Sequence, residues 1–196
     1  NGDVLHGGNF YGGHMAFAMD SLKNAVANCA DLFDRQIALL VNERKSNGLP
    51  PNLSGAPAQK VAINHGFKAV HITTSACAAE ALQGTMPASA FSRSTESHNQ
   101  DKVSLGTISA RDCVRVLQLT EQNLAAGLLA AVQAIDLRCK KGDLNLESLT
   151  PLLRSIHNQV REVSDFLEED RPLERELRTI ASQICGGGIV PRDEVM

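Results

Sequence analysis

Between Ser94 and Gly106 the chain reads Ser-Thr-Glu-Ser-His-Asn-Gln-Asp-Lys-Val-Ser-Leu-Gly, a polar run set between two apolar stretches. Glu96, Asn99 and Gln100 stand at i, i+3 and i+4, so a helical turn here would project all three to one side. A carboxylate can hold or move a proton, and the two amides beside it supply both donors and acceptors. A second set lies near the start, in Gly7-Gly8-Asn9-Phe10-Tyr11-Gly12-Gly13. Its glycines allow close backbone approach, Asn9 can donate and accept, and Phe10 offers a flat apolar face to an aromatic ring. Lys68, in Gly66-Phe67-Lys68-Ala69, adds a cation. On the residues alone a plainer reading also stands. The polar run can be a solvated inter-helix loop with Ser94 or Thr95 as a cap, the glycines a flexible lead-in, and Lys68 a snorkelling surface lysine.

The elements that must position these residues read as helices. Met15, Met19, Leu22, Val26, Cys29, Phe33, Ile37 and Leu40 recur every three or four residues, predicting one long helix from Gly13 to Lys45. Asn47-Gly48 and Pro50-Pro51 end it. A second helix is predicted from Gln59 to Gln83, rich in small Ala and Thr side chains and stopped by Gly84 and Pro87. The string Gly84-Thr85-Met86-Pro87 is read as that helix's terminus. After the polar run a third helix is predicted from Val103 to Leu137, with Val114, Leu117, Leu124, Leu128, Val132 and Ile135 on its stripe. Arg138 to Asp143 reads as a turn. Thr150-Pro151 opens a fourth helix as cap and first-turn proline, and a fifth runs from Pro172 to the Gly186-Gly187-Gly188 break. No strand alternation is visible. The fold class is all-α, a bundle of long helices.

Composition agrees. Of 196 residues 43% are hydrophobic but only 4% aromatic, so the core must be aliphatic and Ala-rich, which favours closely packed helices. With 19 basic and 22 acidic residues interspersed, no basic footprint points to nucleic acid or an anionic membrane as partner. Cys29, Cys77, Cys113, Cys139 and Cys185 are widely spaced and read as reduced core thiols of a cytoplasmic protein. His14, His65 and His71 lack ligand spacing with any Cys or carboxylate, so no metal site is expected. The first motif follows Asn1-Gly2-Asp3-Val4 almost at once, and the chain is expected to be one piece of a longer enzyme.

Taken in order, Gly7-Gly8-Asn9-Phe10, Ser46-Asn47-Gly48-Leu49-Pro50-Pro51, Gly66-Phe67-Lys68, the Ser94 to Gly106 run and Asp136-Leu137-Arg138 resemble the carboxyl-terminal portion of the aromatic amino acid ammonia-lyases and aminomutases. The resemblance is strong over residues 1–140 and weaker beyond. It implies a bundle related to fumarase and aspartase, with 1–140 as the central portion bearing active-site segments and 141–196 as a carboxyl-terminal helical segment. A homotetramer is implied, each site being completed by several subunits. By the same resemblance Asn9, Phe10, Lys68, Glu96 and Asn99 bind substrate, with Phe10 beside its ring and Glu96 near its amine. Glu96 and Gln100 serve catalysis, the amides at 99 and 100 supporting substrate and electrophile by hydrogen bonds. Tyr11 falls at a variable position and is not expected to be the catalytic base.

The activity so implied is removal of ammonia from an aromatic L-α-amino acid to give an arylacrylate. A neutral amide at Gln100, where histidine ammonia-lyases carry Glu, suits phenylalanine or tyrosine. The family's electrophile is 4-methylidene-imidazole-5-one (MIO), formed from an internal Ala-Ser-Gly, and a tyrosine takes the β-proton. No Ala-Ser-Gly occurs here; the nearest strings are Leu53-Ser54-Gly55 and Pro87-Ala88-Ser89-Ala90. The tyrosine loop and the Tyr-x-x-Arg region that holds the substrate carboxylate are also missing. The amino-terminal portion of the same enzyme is therefore an expected partner. Two alternatives stay open: an aminomutase that returns the amine at the β-carbon, and a non-catalytic helical scaffold if the natural polypeptide starts at Asn1.

Overall fold

The computed structural model describes residues 1–189. Five α-helices carry the described residues: α1 (Gly13–Val41), α2 (Lys68–Gln83), α3 (Gly106–Lys141), α4 (Pro151–Val163) and α5 (Glu174–Cys185), joined by short 3-10 turns and irregular segments. Among the described residues there is no strand; Thr95 and Gln100 form one isolated antiparallel bridge. The 36 residues of α3 extend about 54 Å at 1.5 Å per residue.

Residues of α1 meet those of α3 about 93 positions later along the length of both helices. The Ser109 hydroxyl lies 2.9 Å from the Ala16 carbonyl and Asn123 Nδ2 is 3.2 Å from that of Ala30. The two helices are therefore parallel, with their amino termini at one end. Helix α2 runs the opposite way, since Thr74 bonds Asp34 while Glu80 pairs with Arg115. Small residues make this close contact possible. Ala16, Ala27 and Ala30 of α1, Ala78 and Ala81 of α2, and Ala125, Ala126 and Ala130 of α3 are all buried. Asn123 also donates to the Thr74 carbonyl at 3.2 Å, so one buried amide ties all three helices together.

The main core lies at the end away from the α1 and α3 amino termini, where Ile37, Leu53, Phe67, Leu129, Val160 and Ile180 converge. There Gln133, fully buried, donates to the Leu53 and Leu167 carbonyls and accepts from Leu167 N, locking the carboxyl-terminal segment onto α3. Asp136 holds α4 by pairing with His157 at 2.7 Å and Arg161 at 2.7 Å.

Several sequence expectations need correcting. The stripe predicted for α1 is its inner face only toward the carboxyl end, where Ile37 is buried and Leu40 packs on the same core. Met15 is 60% exposed and Leu22 and Cys29 are exposed, whereas Ala16, Asp20, Lys23, Ala27, Ala30 and Asp34, one position on, face inward. Likewise Val114 and Leu117 of the α3 stripe are exposed, while Val132 farther along it is buried and Leu128 packs on the core. α1 ends at Val41, and turns follow to Asn47 and Gly48, both with positive φ. α2 begins at Lys68 because a 3-10 turn at Val61–Ile63 and a positive φ at Gly66 interrupt the expected start at Gln59. The turn expected from Arg138 is instead the last turn of α3, closed by Gly142 at φ 81 with bonds to Arg138 and Cys139 carbonyls. Only Cys77 and Cys113 are buried thiols; Cys29 and Cys185 are exposed. Thr150 caps α4 through Leu153 N and Pro151 is its first residue, as the sequence predicts. The tail of the 141–196 segment, residues 190–196, lies outside the described residues.

Candidate active site

The polar run is a closed excursion of the chain. Ser92 clasps its base: the hydroxyl donates to the Val103 carbonyl at 2.7 Å and accepts from Val103 N at 3.0 Å. Further out, Thr95 and Gln100 exchange backbone hydrogen bonds of 3.0 and 3.2 Å. The turn between them is not right-handed. Glu96, Ser97 and His98 carry φ of 54, 52 and 65°, a left-handed conformation that costs non-glycine residues roughly 1–2 kcal/mol each. This turn still brings i and i+4 together, for Gln100 Nε2 donates to the Glu96 carboxylate at 3.3 Å. Ser94 Oγ meets His98 Nδ1 at 3.0 Å, stiffening the same turn. Glu96, Asn99 and Gln100 are all exposed, and no partner engages the Asn99 side chain among the described residues.

The Gly7 to Phe10 segment lies at this same end of the bundle. Asn9 adopts φ 60°, and Phe10 folds back so that a Cβ on Gly7 would lie 2.7 Å from its ring. Apart from that contact the Phe10 ring is 86% exposed. Phe10, Gly12 and Met15 share an open groove of about 760 Å³ with Ser104, Gly106 and Arg111, so the segment adjoins the downstream limb of the polar loop. Neither α1 nor α3 has an N-cap side chain, and although Gly106 N donates to Ser104 Oγ at 3.4 Å, the remaining first-turn N–H groups give this end a positive potential suited to an anionic group.

Lys68 stands apart. It opens α2, whose 16 residues carry it about 24 Å from the end that leads into the polar loop. Buried Phe67 anchors it from behind, Phe67 N bonding the Asn52 carbonyl at 2.9 Å. At Gly66, φ 53 and an Asn52 carbonyl 2.5 Å from any added Cβ both demand glycine. Asp170 accepts from His65 N at 2.7 Å and Gly66 N at 2.8 Å. Burial would raise the Asp170 pKa, but these N–H donors outweigh it and hold the carboxyl below its usual range. Within one chain, then, Asn9, Phe10, Glu96, Asn99 and Gln100 share an end, and Lys68 does not.

Sequence reasoning missed the buried ions beneath the loop. Asp20 accepts from Ala88 N, Ser89 N, Ser89 Oγ and Ser109 Oγ, and sits 3.1 Å from Lys23 Nζ. Lys23 is 0% exposed and donates to the Met86 carbonyl at 2.6 Å. Burial opposes ionisation of Asp20, yet the hydrogen bonds from Ser109, Ser89 and Lys23 prevail and depress its pKa far below the ordinary value. One signal was available: both charges fall in helical phase with Ala16, Ala27 and Ala30.

No group of three or more metal-ligating side chains is assembled among the described residues, and no helix there is long and apolar enough to cross a membrane. Comparison with known proteins places the geometry. Residues 1–162 match the aromatic amino acid lyase family. A tyrosine ammonia-lyase from Cereibacter sphaeroides is 42% identical over 92% of this chain and 33% of its own length. A histidine ammonia-lyase from a Geobacillus species is 33% identical over 93% and 34%. The chain thus spans about a third of the length of the curated relatives it matches. Among solved structures, tyrosine aminomutase from Streptomyces globisporus superimposes with a TM-score of 0.86 at 32% identity, covering 96% of this chain and 34% of that one. Histidine ammonia-lyase from Trypanosoma cruzi gives 0.84 at 33%, covering 95% and 35%. With family match, sequence identity and helical architecture all in agreement, this chain belongs to the aromatic amino acid lyase family.

Proposed function

We propose that this chain supplies one wall of the active site of an ammonia-lyase that converts L-phenylalanine or L-tyrosine into an arylacrylate and ammonia. The observation that carries this reading is the placement of Phe10 in one groove with Ser104 and Gly106, the downstream limb of the loop that bears Glu96 and Gln100, at one end of parallel α1 and α3. Phe10 presents its exposed ring face to the substrate ring, and Asn9 offers both hydrogen-bond senses to the substrate. Glu96 attracts the substrate ammonium and can take a proton from it. The Gln100 amide, bonded to that carboxylate, fixes where it points.

The elimination breaks the Cα–N bond and a β-carbon–hydrogen bond. MIO, when present, supplies the electrophilic activation that turns the amine into a leaving group. The chain lacks the Ala-Ser-Gly from which that group forms, so its residues face the group and do not generate it. Their chemistry fits this: Asn9 and Gln100 are exposed amides able to donate to an oxyanion, at the end where two uncapped helix amino termini point. The amino-terminal portion of the enzyme, in the same or a neighbouring subunit, is to bring the electrophile, the β-proton acceptor and the carboxylate clamp. Lys68, at the far end of α2, then belongs to a site completed by other subunits of a homotetramer. Exposed Met15, Phe17, Leu32 and Leu39 on α1 give the surface such packing needs.

The neutral amide at Gln100 favours a neutral aromatic substrate, and the 42% identity to a tyrosine ammonia-lyase supports the same choice. An aminomutase is the second reading, favoured by the likeness to tyrosine aminomutase. The test is kinetic, on the full-length polypeptide carrying this chain. Phe10→Ala should lower kcat/KM by about 1–3 kcal/mol, and Glu96→Gln should lower kcat by roughly 10²–10⁴-fold. Wild-type kinetics in both variants would overturn the assignment, and accumulation of a β-amino acid in place of the arylacrylate would select the aminomutase.

A further inference from the structure

The loop that carries Glu96, Asn99 and Gln100 makes few contacts of its own: beyond Ser92 its backbone closes only on itself. What holds it in place lies below it. The chain enters the loop through Met86 to Phe91 and leaves it through the first turn of α3. Both limbs converge on two side chains of α1.

On the entry side, the Ala88 and Ser89 amides donate to the two Asp20 oxygens at 3.1 Å each, the Ser89 hydroxyl adds a third bond at 2.7 Å, and Lys23 grips the Met86 carbonyl. On the exit side, the Ser109 hydroxyl reaches Asp20 at 2.7 Å, and Lys23 stands 3.6 Å from Asp112. Both ions are buried, and a buried charge is tolerated only where its partners are fixed in geometry. Replacing them with apolar residues would be the simpler way to stabilise a helix crossing. Their positions, about two and three turns into α1, tie them directly to the helix that begins just after Asn9 and Phe10.

We propose that Asp20 and Lys23 are positioning residues that hold the Glu96 to Gln100 loop in register with Asn9 and Phe10. The ion pair touches no substrate. It fixes the distance and angle between the ring-binding segment and the amine-facing loop, much as a shared bracket does. The inference rests on the proposed role of Glu96, which the experiment tests separately.

The measurement is a double-mutant cycle in the full-length polypeptide, with Ser89→Ala as the mild perturbation and Asp20→Asn as the strong one, each combined with Glu96→Gln. Ser89→Ala removes one hydroxyl and leaves the buried ions, so it remains informative if Asp20→Asn fails to fold. Kinetic constants for phenylalanine and tyrosine are taken per folded protein. Ser89→Ala is expected to lower kcat/KM roughly 10-fold and Asp20→Asn roughly 100-fold, the scale of a misplacement near 1 Å. Those losses should shrink well below additivity on the Glu96→Gln background, because the main group the loop positions is then gone. Amide exchange of Thr95, Asn99 and Gln100 should also quicken in Ser89→Ala while exchange in the distal core stays unchanged. Additive losses, unchanged kinetics in Ser89→Ala, or unchanged exchange in the loop would overturn the proposal. Wild-type activity of Glu96→Gln alone would instead sink the functional reading of the loop, with the exchange data then deciding whether Asp20 and Lys23 position it at all.

Discussion

The two ends of this bundle are ordered by different forces. Away from the candidate site, large side chains such as Phe67, Ile37, Leu53 and Leu129 meet in a continuous apolar core. Toward the site the core thins to Ala27, Ala30, Ala81, Val116 and Leu119, and then gives way to Asp20, Lys23 and the serines bonded to them. Apolar burial is strong but carries no direction, so the distal end can supply stability without specifying where any polar atom points. Charge-assisted hydrogen bonds are shorter and more directional, and they set the orientation of the loop that bears Glu96. One end keeps the molecule folded; the other aims it.

The largest expected effect breaks the distal end. Phe67→Ala empties a site 1% exposed and should cost about 3–5 kcal/mol in equilibrium urea unfolding. It should also loosen Lys68, whose neighbour it is, while leaving exchange of the Asp20 network slow. Lys23→Met tests the opposite end and should cost on the order of 3 kcal/mol, since it strands a buried carboxylate that keeps only its neutral donors. If Lys23→Met were neutral, the site end would be held by packing alone and the contrast between the ends would collapse.

This contrast also explains what was legible in the sequence. The all-α class, the Thr150 cap and the Gly186 stop follow from local chemistry and are seen in the structure. The inner face over the first part of α1 lies one position from the predicted stripe because it is lined with Ala, Asp and Lys, while Met15 and Leu22 point outward; at Ile37 the two coincide. Apolar periodicity finds the greasiest face of a helix, and in a chain that leaves a second apolar face exposed this is not the face its own core uses. For the candidate site, the composition of the polar run stood out at once. Its left-handed turn at Glu96 to His98 did not, since no glycine marks those positive φ values. The Asp170 clamp on His65 and Gly66 joins residues more than a hundred positions apart, a separation that no spacing rule reaches.

Acid should act on both ends, through one carboxylate at each. Asp20 and Asp170 both titrate below the usual carboxylate range in the folded chain. A depressed folded pKa stabilises the fold fully above the unfolded value of about 3.9, and that contribution is lost as pH falls through the folded one. Unfolding free energy should therefore be flat in these two groups above about pH 5 and drop below about pH 4. Asp20→Asn should lower the plateau and flatten the acid limb that comes from the site end, and Asp170→Asn should do the same for the limb that comes from the distal end beside Phe67. An acid limb unchanged in both Asp20→Asn and Asp170→Asn would show that neither carboxylate carries this linkage.

The smallest effect on folding should come with a large change in chemistry. Gln100 is exposed and its amide donates to Glu96 at 3.3 Å, so Gln100→Glu alters the surface and should move stability by less than about 0.5 kcal/mol. At the loop tip it places a second carboxylate against the first. Like charges at that separation repel each other and disturb the geometry of the loop tip. The donor that orients Glu96 is lost as well. In the full-length polypeptide, turnover of phenylalanine and tyrosine should fall, and any gain should be toward histidine, whose imidazole can donate to the added carboxylate. Unaltered selectivity in Gln100→Glu would remove Gln100 from the specificity argument while leaving the stability contrast between the two ends intact.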